Sequence, residues 1–488
     1  MQTRSKGFAL ISVVIFSGIG ITIVFGFVAW ALSSYRLSTH VLNRERAEQI
    51  AEAGVEYYRW HLAHSSSDFQ DGTGQAGPYV HDFFDRNDQK IGEFELTITP
   101  PTVGSTVVTI TSTGSLVDEP DVTRTVRTQL AIPSFAKWAV VANDVMRFGE
   151  GTETYGPIHS NNGIRFDGIA HNVITSALSS YDDPDHNESG ADTLEYGVHT
   201  HAPTYSLSAE SPLPVTAPIR NDVFLAGRQF PVPATDFVGI SSDLSQIKTQ
   251  AQASGAFYNP SGALGYHIVL KTNDTYDLYR VNNLQAAPNG CTNLQSQDGW
   301  GTWSIRSSNG QTLLGNYAFP ANGLIFFDDN VWVNGAINTA RLTIAAGRFP
   351  DDSTTRRSIT INNDLTYTNY DGSDVIGLIS QKNINVGLFS EDDLRIDAAI
   401  IAQNGRAGRY YYGDGGSGDT TCGVNANRSV LTLYGMIATN QRYGFAYTND
   451  TGYETRNINY DGNLLYAPPP SFPLAGDTYE TISWEEVE

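Results

Sequence analysis

The sequence predicts a mainly β protein: a long N-terminal transmembrane helix, a small antiparallel sheet, and a right-handed parallel β-helix-like head carrying an α+β insertion. Three observations predict it. Residues 7–35 carry no charge. Between residues 85 and 130 apolar and polar side chains alternate. From Gly323 onward, apolar strand centres recur at Leu324, Leu342, Ile359, Leu378 and Ala399, in steps of 18, 17, 19 and 21 residues.

The helix comes first. In "RSKGFALISVVIFSGIGITIVFGFVAW" (residues 4–30) the apolar run is longer than the roughly 20 residues that a helix needs to cross a hydrocarbon core. A secretory signal has an apolar stretch of only about 7–15 residues and a small-x-small cleavage site, which does not follow promptly here. Arg4 and Lys6 precede the run, so the positive-inside rule keeps the N-terminus in the cytoplasm and places the remainder outside. Beyond it, "HVLNRERAEQIAEAGVEYYRWHLAH" sets Ala47, Ile50, Ala51, Val55, Tyr58 and Leu62 on one helical face. Arg44 with Glu48 and Glu56 with Arg59 are spaced to pair across turns. A continuous helix over residues 8–64 is roughly 85 Å long at about 1.5 Å per residue.

The leader "MQTRSKG" ends in a basic residue and a glycine, and Phe8 opens the helix. This resembles the class III signal of type IV pilins and type II secretion pseudopilins. "AEQIAEAGVEYYRWHL" is similar to the helix of large PilX-type minor pilins. The resemblance covers about the first 65 residues. It implies that a prepilin peptidase cuts between Gly7 and Phe8 and methylates Phe8. It further implies assembly with other pilin or pseudopilin subunits, from a cytoplasmic-membrane precursor into an extracellular filament. Major pilins carry glutamate at the fifth position after the cut, where this chain has Ser12. A carboxylate in lipid costs several kcal/mol unless paired. Its absence fits a subunit at or near a tip, with no neighbour above, or a neutral exchange in an ordinary subunit.

Composition agrees with an exported passenger. A chain of 488 residues exceeds a single core and calls for two or more domains outside the anchor. The net charge of −22 argues against duplex nucleic acid as partner of the bulk surface. Cys291 and Cys422 are the only cysteines. In an oxidising exterior they can form one long-range bridge, or remain two buried thiols. They are too few and too far apart for a zinc site.

The expected order is a leader (1–7), the transmembrane and assembly helix (8–64) and an antiparallel β domain (65–132). In the last, "KIGEFELTITP", "STVVTITSTGSL" and "VTRTVRTQLAI" alternate between turn-rich breaks and cover the apolar face of the helix. Residues 133–179, with "YGPIHSNNGIRFDG", begin the solenoid. Residues 180–320 are the insertion. There "DFVGISSDLSQIKTQAQASG" reads as a helix with Asp236 or Ser242 as cap and Gly255 as its end, and "GYHIVLKTNDTYDLYRV" as a hairpin. Residues 321–440 are the main solenoid, with Asn334, Asn363 and Asn383 at corners. A β-sandwich is the competing architecture. Residues 441–488 form a strap and cap, with Trp484 docked on the body to protect the solenoid edge.

Three groups of residues could carry chemistry. His159, His171, His186, His199 and His201 crowd one interval, and "VHTH" puts His199 and His201 on the same strand face, a geometry that metals use. Asp182, Asp183, Asp185 and Glu188 offer oxygen ligands for calcium. No third ligand at fixed spacing stands out, so a polar loop explains these residues equally well. No other cofactor is expected. "EDDLRID" supplies Glu391, Asp392, Asp393 and Asp397, and acid–base work by paired carboxylates needs a separation of about 5–9.5 Å. Strand alternation and a solvated turn account for them too. Tyr410, Tyr411 and Tyr412 in "GRYYYGDGGSGD" suggest an exposed loop that recognises a surface glycan or protein. The reading that joins these is a non-enzymatic minor pilin-like subunit displaying a β-helical head for adhesion. The competing reading is a membrane-anchored, cell-surface polysaccharide lyase or hydrolase.

Overall fold

The computed structural model describes residues 6–102, 105–185, 194–202, 216–237, 239–413, 421–447 and 451–487. They fall into two compact units, one made of residues up to 101, 107–131 and from 478, the other of 102–106 and 132–477.

The first unit is built on α1 (Lys6–His64), an unbroken helix of 59 residues. Phe8, Ile15, Phe25, Trp30 and their apolar neighbours are exposed along its first half, which is long and apolar enough to cross a membrane. The hydroxyls of Ser12, Thr22 and Thr39 donate to the carbonyls of Phe8, Gly18 and Tyr35 at 2.8–3.0 Å, so each is satisfied within the helix. In the second half Ala47, Ile50, Ala51, Val55, Tyr58 and Leu62 are buried. They lie on an antiparallel sheet of β1 (Tyr79–Phe84), β2 (Lys90–Thr99), β3 (Val108–Leu116) and β4 (Thr123–Ala131). Every second residue of β3 is buried, as expected for a sheet covered on one face. At Gly114 the helix comes so close that a Cβ would collide with the Ala47 carbonyl oxygen and stand 2.6 Å from the Ala51 nitrogen.

A fifth strand, Glu480–Val487, joins this sheet antiparallel to β4. Trp484, expected to cap the solenoid, instead lies opposite Thr128 and is half exposed. The physical reason is charge. Arg124 and Arg127 of β4 pair with Glu486 and Glu485 at 2.6 and 3.0 Å, so the acidic tail covers a basic edge strand.

The second unit is a stack of short parallel strands around one apolar core. Its clearest ladder runs through Ala256–Tyr258, Leu324–Phe327, Arg341–Ala346, Val375–Ser380, Asp393–Ala402, Asn427–Thr439, Val140–Ala142, Ile158–Ser160, Ile174–Ser176 and Arg228–Gln229. One inward column reads Ile325, Ile344, Leu378, Ile400, Ile437, Val140, Ile158 and Ile174, all buried. The chain therefore enters mid-stack at Val140, runs to one end at Arg228–Gln229, and resumes at the other end with Ala256–Tyr258. From there it winds back to lie beside its entry point.

The turns of this stack do not have the constant length near 20 that the sequence suggests. Successive members of the column from Ile325 to Ile437 are separated by 19, 34, 22 and 37 residues. Ile359 belongs to another face, where Val331–Ile337, Ile359–Thr360, Ile384–Val386 and Ala407–Arg409 pair in succession. Each turn carries strands on more than one face, so apolar centres on neighbouring faces imitate a single period.

The outer side of the main ladder is apolar as well. Phe326, Ala345, Ile379, Ile401, Ala438 and Val141 are buried in one cluster with Phe472 and with Leu244, Ile247 and Ala251 of α2 (Gly239–Ser254). The 16 residues of α2 make a helix roughly 24 Å long. Ser242 lies inside α2 and so does not cap it, whereas Gly255 follows its last residue. The expected hairpin is present as Gly265–Lys271 and Thr275–Val281. An asparagine ladder runs Asn440, Asn143, Asn161, each amide nitrogen donating to the preceding oxygen at 2.8 Å.

Candidate metal centre

Near the end of the stack marked by Arg228–Gln229, the strands Met146–Phe148, Ile164–Phe166 and Val198–His199 pair in parallel. Beside them Ser180–Asp182 and Leu194–Tyr196 form an antiparallel pair, with Tyr181 opposite Glu195. Glu195, His199 and His201 have the same parity in an extended segment, so their side chains emerge on one side. Asp183, two positions beyond Tyr181, arrives from the other strand of the pair. The four side chains meet. One ligand atom from each of Asp183, Glu195, His199 and His201 lies within 4.8 Å of all the others.

The geometry is tight. Nε2 of His199 is 2.5 Å from Oε2 of Glu195 and 3.5 Å from Oδ2 of Asp183. Nε2 of His201 is 3.2 Å from Oε1 of Glu195. None of the four side chains is more than 4% exposed. Arg165, adjacent to His199 in the ladder, pairs with Asp167 at 2.7 Å and reaches to 3.7 Å from Asp183. The amide of Asp185 donates to Oδ1 of Asp183 at 3.0 Å. Burial opposes ionisation of Asp183 and Glu195, but the imidazoles crowded against them outweigh it and hold each carboxyl down to about 2. Burial likewise opposes charge on His199, and the two carboxylates overcome it, so its pKa is raised.

Of the five histidines that crowd the sequence, the structure brings together only His199 and His201 among the described residues. His159 stacks on Trp138 and bonds Thr175, and His171 stacks on Tyr155 and bonds Glu153. Of the aspartates and glutamate read as oxygen ligands, Asp183 alone joins them. Asp182 is exposed, Asp185 pairs with Arg442 and Arg147, and His186 and Glu188 lie outside the described residues. The reading from sequence missed Glu195. The signal was available: "LEYGVHTH" places Glu195, His199 and His201 at odd positions of one strand-like segment.

The three tyrosines, expected in an exposed loop, are buried. Tyr410, Tyr411 and Tyr412 are 2%, 4% and 1% exposed. The segment carrying Asp298, Trp300 and Gly301 folds over them: Tyr410 and Tyr412 donate to the carbonyls of Asp298 and Gly301 at 3.2 and 2.8 Å. Trp300 donates to the Tyr411 carbonyl at 3.0 Å. Arg406 and Arg409 stack on Tyr410 and Tyr412. Burial pushes the Tyr410 hydroxyl up to about 12. The same lobe contains the disulfide Cys291–Cys422, which joins residues 131 apart.

The carboxylates of "EDDLRID" do not form an open pair. Asp397 is buried against Arg395 and the Tyr370 hydroxyl, Glu391 takes the Asn363 amide, Asp392 takes the Ser429 hydroxyl, and Asp393 is exposed. At the other end of the chain Phe8 is exposed near the start of α1, and residues 1–5 of the leader lie outside the described residues.

No protein-family model matches the chain, and no curated protein matches it. Among solved structures, it is similar to the competence-associated pilin ComZ from Thermus thermophilus, at 13% identity and a TM-score of 0.33, over 91% of this chain and 97% of that one. A likeness that loose carries no weight on its own.

Proposed function

We propose that the chain is a minor pilin-type subunit of a type IV pilus or type II secretion-like filament. In this reading it sits at or near the tip and displays its stack of strands, a right-handed parallel β-helix, for adhesion or surface recognition. One observation carries the reading: α1 is a single helix whose uncharged first half is exposed and whose second half buries one face in a small antiparallel sheet. A helix apolar all round is stable only in lipid or among other apolar helices, and an assembling filament offers both in turn. Prepilin peptidase, the membrane and neighbouring pilin subunits are the partners this implies, with the head outside the cell. The Ser12 hydroxyl is already satisfied by the Phe8 carbonyl, so the anchor needs no neighbour at that position. A glutamate there would require one.

Mass spectrometry of protein from cells that contain a prepilin peptidase tests the reading. The expected N-terminus is Phe8, methylated. An intact Met1, or cleavage beyond Tyr35, rules it out. Labelled protein is expected as single foci at filament ends, and Ser12→Glu is expected to give no gain in assembly. Labelling at regular intervals along the shaft removes the tip position and leaves the subunit role standing.

A further inference from the structure

We propose that Asp183, Glu195, His199 and His201 bind one divalent transition-metal ion, Zn2+ foremost. The ion fastens the antiparallel pair Ser180–Asp182 and Leu194–Tyr196 to the strand stack. This goes beyond the filament reading and does not depend on it.

The donor set selects the metal. Two imidazoles and two carboxylates suit Zn2+, which takes nitrogen and oxygen ligands in a tetrahedron at about 2.0–2.2 Å. Calcium wants six to eight oxygens, and Mg2+ wants oxygen octahedra; two carboxylates beside two imidazoles give neither. In a zinc tetrahedron the ligand atoms stand roughly 3.4 Å apart, a figure that follows from those bond lengths. The four atoms here already lie within 4.8 Å of one another, so small side-chain rotations close the remainder.

His199 supplies the second line of reasoning. It is wholly buried, and carboxylate oxygens approach its Nε2 to 2.5 and 3.5 Å. Yet among the described residues neither ring nitrogen has a hydrogen-bond partner in line with it. Oxygens that crowd a ring nitrogen while lying out of line with its N–H are arranged around a shared point rather than around the nitrogen. A cation at that point satisfies all of them. Asp183 is oriented for this by the Asp185 amide, and Arg165 approaches it from outside.

The consequence is mechanical. Asp183 precedes, and Glu195 follows, the connection between the paired strands Ser180–Asp182 and Leu194–Tyr196. An ion bound to both, and to His199 and His201 beyond, closes that connection as a covalent cross-link would.

The test uses the full chain in detergent, stripped with a chelator and then titrated with Zn2+, Co2+ or Ca2+ separately. Expected are one Zn2+ per chain by elemental analysis, a melting temperature that rises with Zn2+, and visible absorption typical of tetrahedral Co2+. In His199→Gln and in His201→Gln the Zn2+ affinity is expected to fall by about 100-fold or more. Stabilisation by Ca2+ but not Zn2+ overturns the proposal. So does a parent chain that binds no metal and melts identically with and without Zn2+, which would mean that a protonated His199 bridges the two carboxylates instead. Zn2+ binding that persists undiminished in the His199→Gln, His201→Gln double variant overturns it as well.

Discussion

The sheet under α1 and the stack of parallel strands solve the same problem differently. Along β3 burial alternates perfectly, because one face meets the helix and the other meets water. Along Val375–Ser380 every residue is buried, because the core lies on one side and α2 with the Phe472 segment on the other. Alternation makes a strand and its register readable one residue at a time. A strand covered on both faces reads only as an apolar run, and its neighbours must be found from elsewhere in the chain.

Substitutions that distinguish the two regions should differ most where backbones touch. Gly114→Ala places a methyl against the Ala47 carbonyl and is expected to cost about 3 kcal/mol or more, while Gly149→Ala, with open space around it, stays within about 0.5 kcal/mol. Equal costs by chemical denaturation would show that α1 does not hold the close approach.

Next comes the outward face. Ile401→Ala is expected to cost about 2–5 kcal/mol because its outward side chain is fully buried in the second apolar cluster. Glu95→Ala, outward on β2, should change stability by less than about 0.5 kcal/mol. If Ile401→Ala proves neutral, the two-faced burial of the stack is refuted.

Reduction, or Cys291→Ala with Cys422→Ala, is expected to lower the stability of the stack by about 2–4 kcal/mol. Hydrogen exchange resolved by peptide should show faster exchange around residues 285–305 and none in β1–β4. Acceleration in both units would argue against a disulfide effect confined to its lobe.

The smallest expected effect depends on pH. His267 is half-buried, and desolvation lowers its pKa despite the Asn334 and Gln311 oxygens 2.7 Å from its ring nitrogens. His159 is lowered by burial too. Below an unfolded-state pKa of about 6.5 the unfolded chain takes up protons that the folded chain refuses. Their contribution is therefore complete above that pH and shrinks as acid is added, by at most about 1.4 kcal/mol per pH unit for each group. His267→Gln should flatten the fall between pH 7 and 5, and an unchanged slope by thermal melting would assign the acid sensitivity elsewhere.

The residues that were legible and those that were not divide along the same line. Ala47, Ile50, Ala51, Val55, Tyr58 and Leu62 are visible as a stripe, and they are the face that α1 buries. Leu324, Leu342, Ile359, Leu378 and Ala399, the apolar centres visible in the sequence, are all buried. Their spacing misled nonetheless, since Ile359 lies on a different face from Leu342 and Leu378. Nothing in the sequence says that Ile437 sits beside Val140, because that contact joins turns almost 300 residues apart. Tyr410, Tyr411 and Tyr412 look solvated among glycines until the segment containing Trp300 folds over them. At the candidate metal centre the two histidines were legible as a pair, whereas Asp183 and Glu195 become their neighbours only through the register that sets Tyr181 opposite Glu195.

The place of Glu480–Val487 beside β4 bears on biosynthesis. These two strands are partners in the sheet, yet the whole stack lies between them in the chain. A ribosome therefore delivers β4 long before the strand that completes its edge. While the head is being made, Arg124 and Arg127 face an open position, and the sheet closes only after the head has been synthesised. Completion of the small unit thus reports completion of the large one, and a quality-control protease that cuts open sheet edges would spare finished chains. The same arrangement makes the head a cassette: two neighbouring strands receive both of its ends, so another domain with adjacent termini can be grafted in its place.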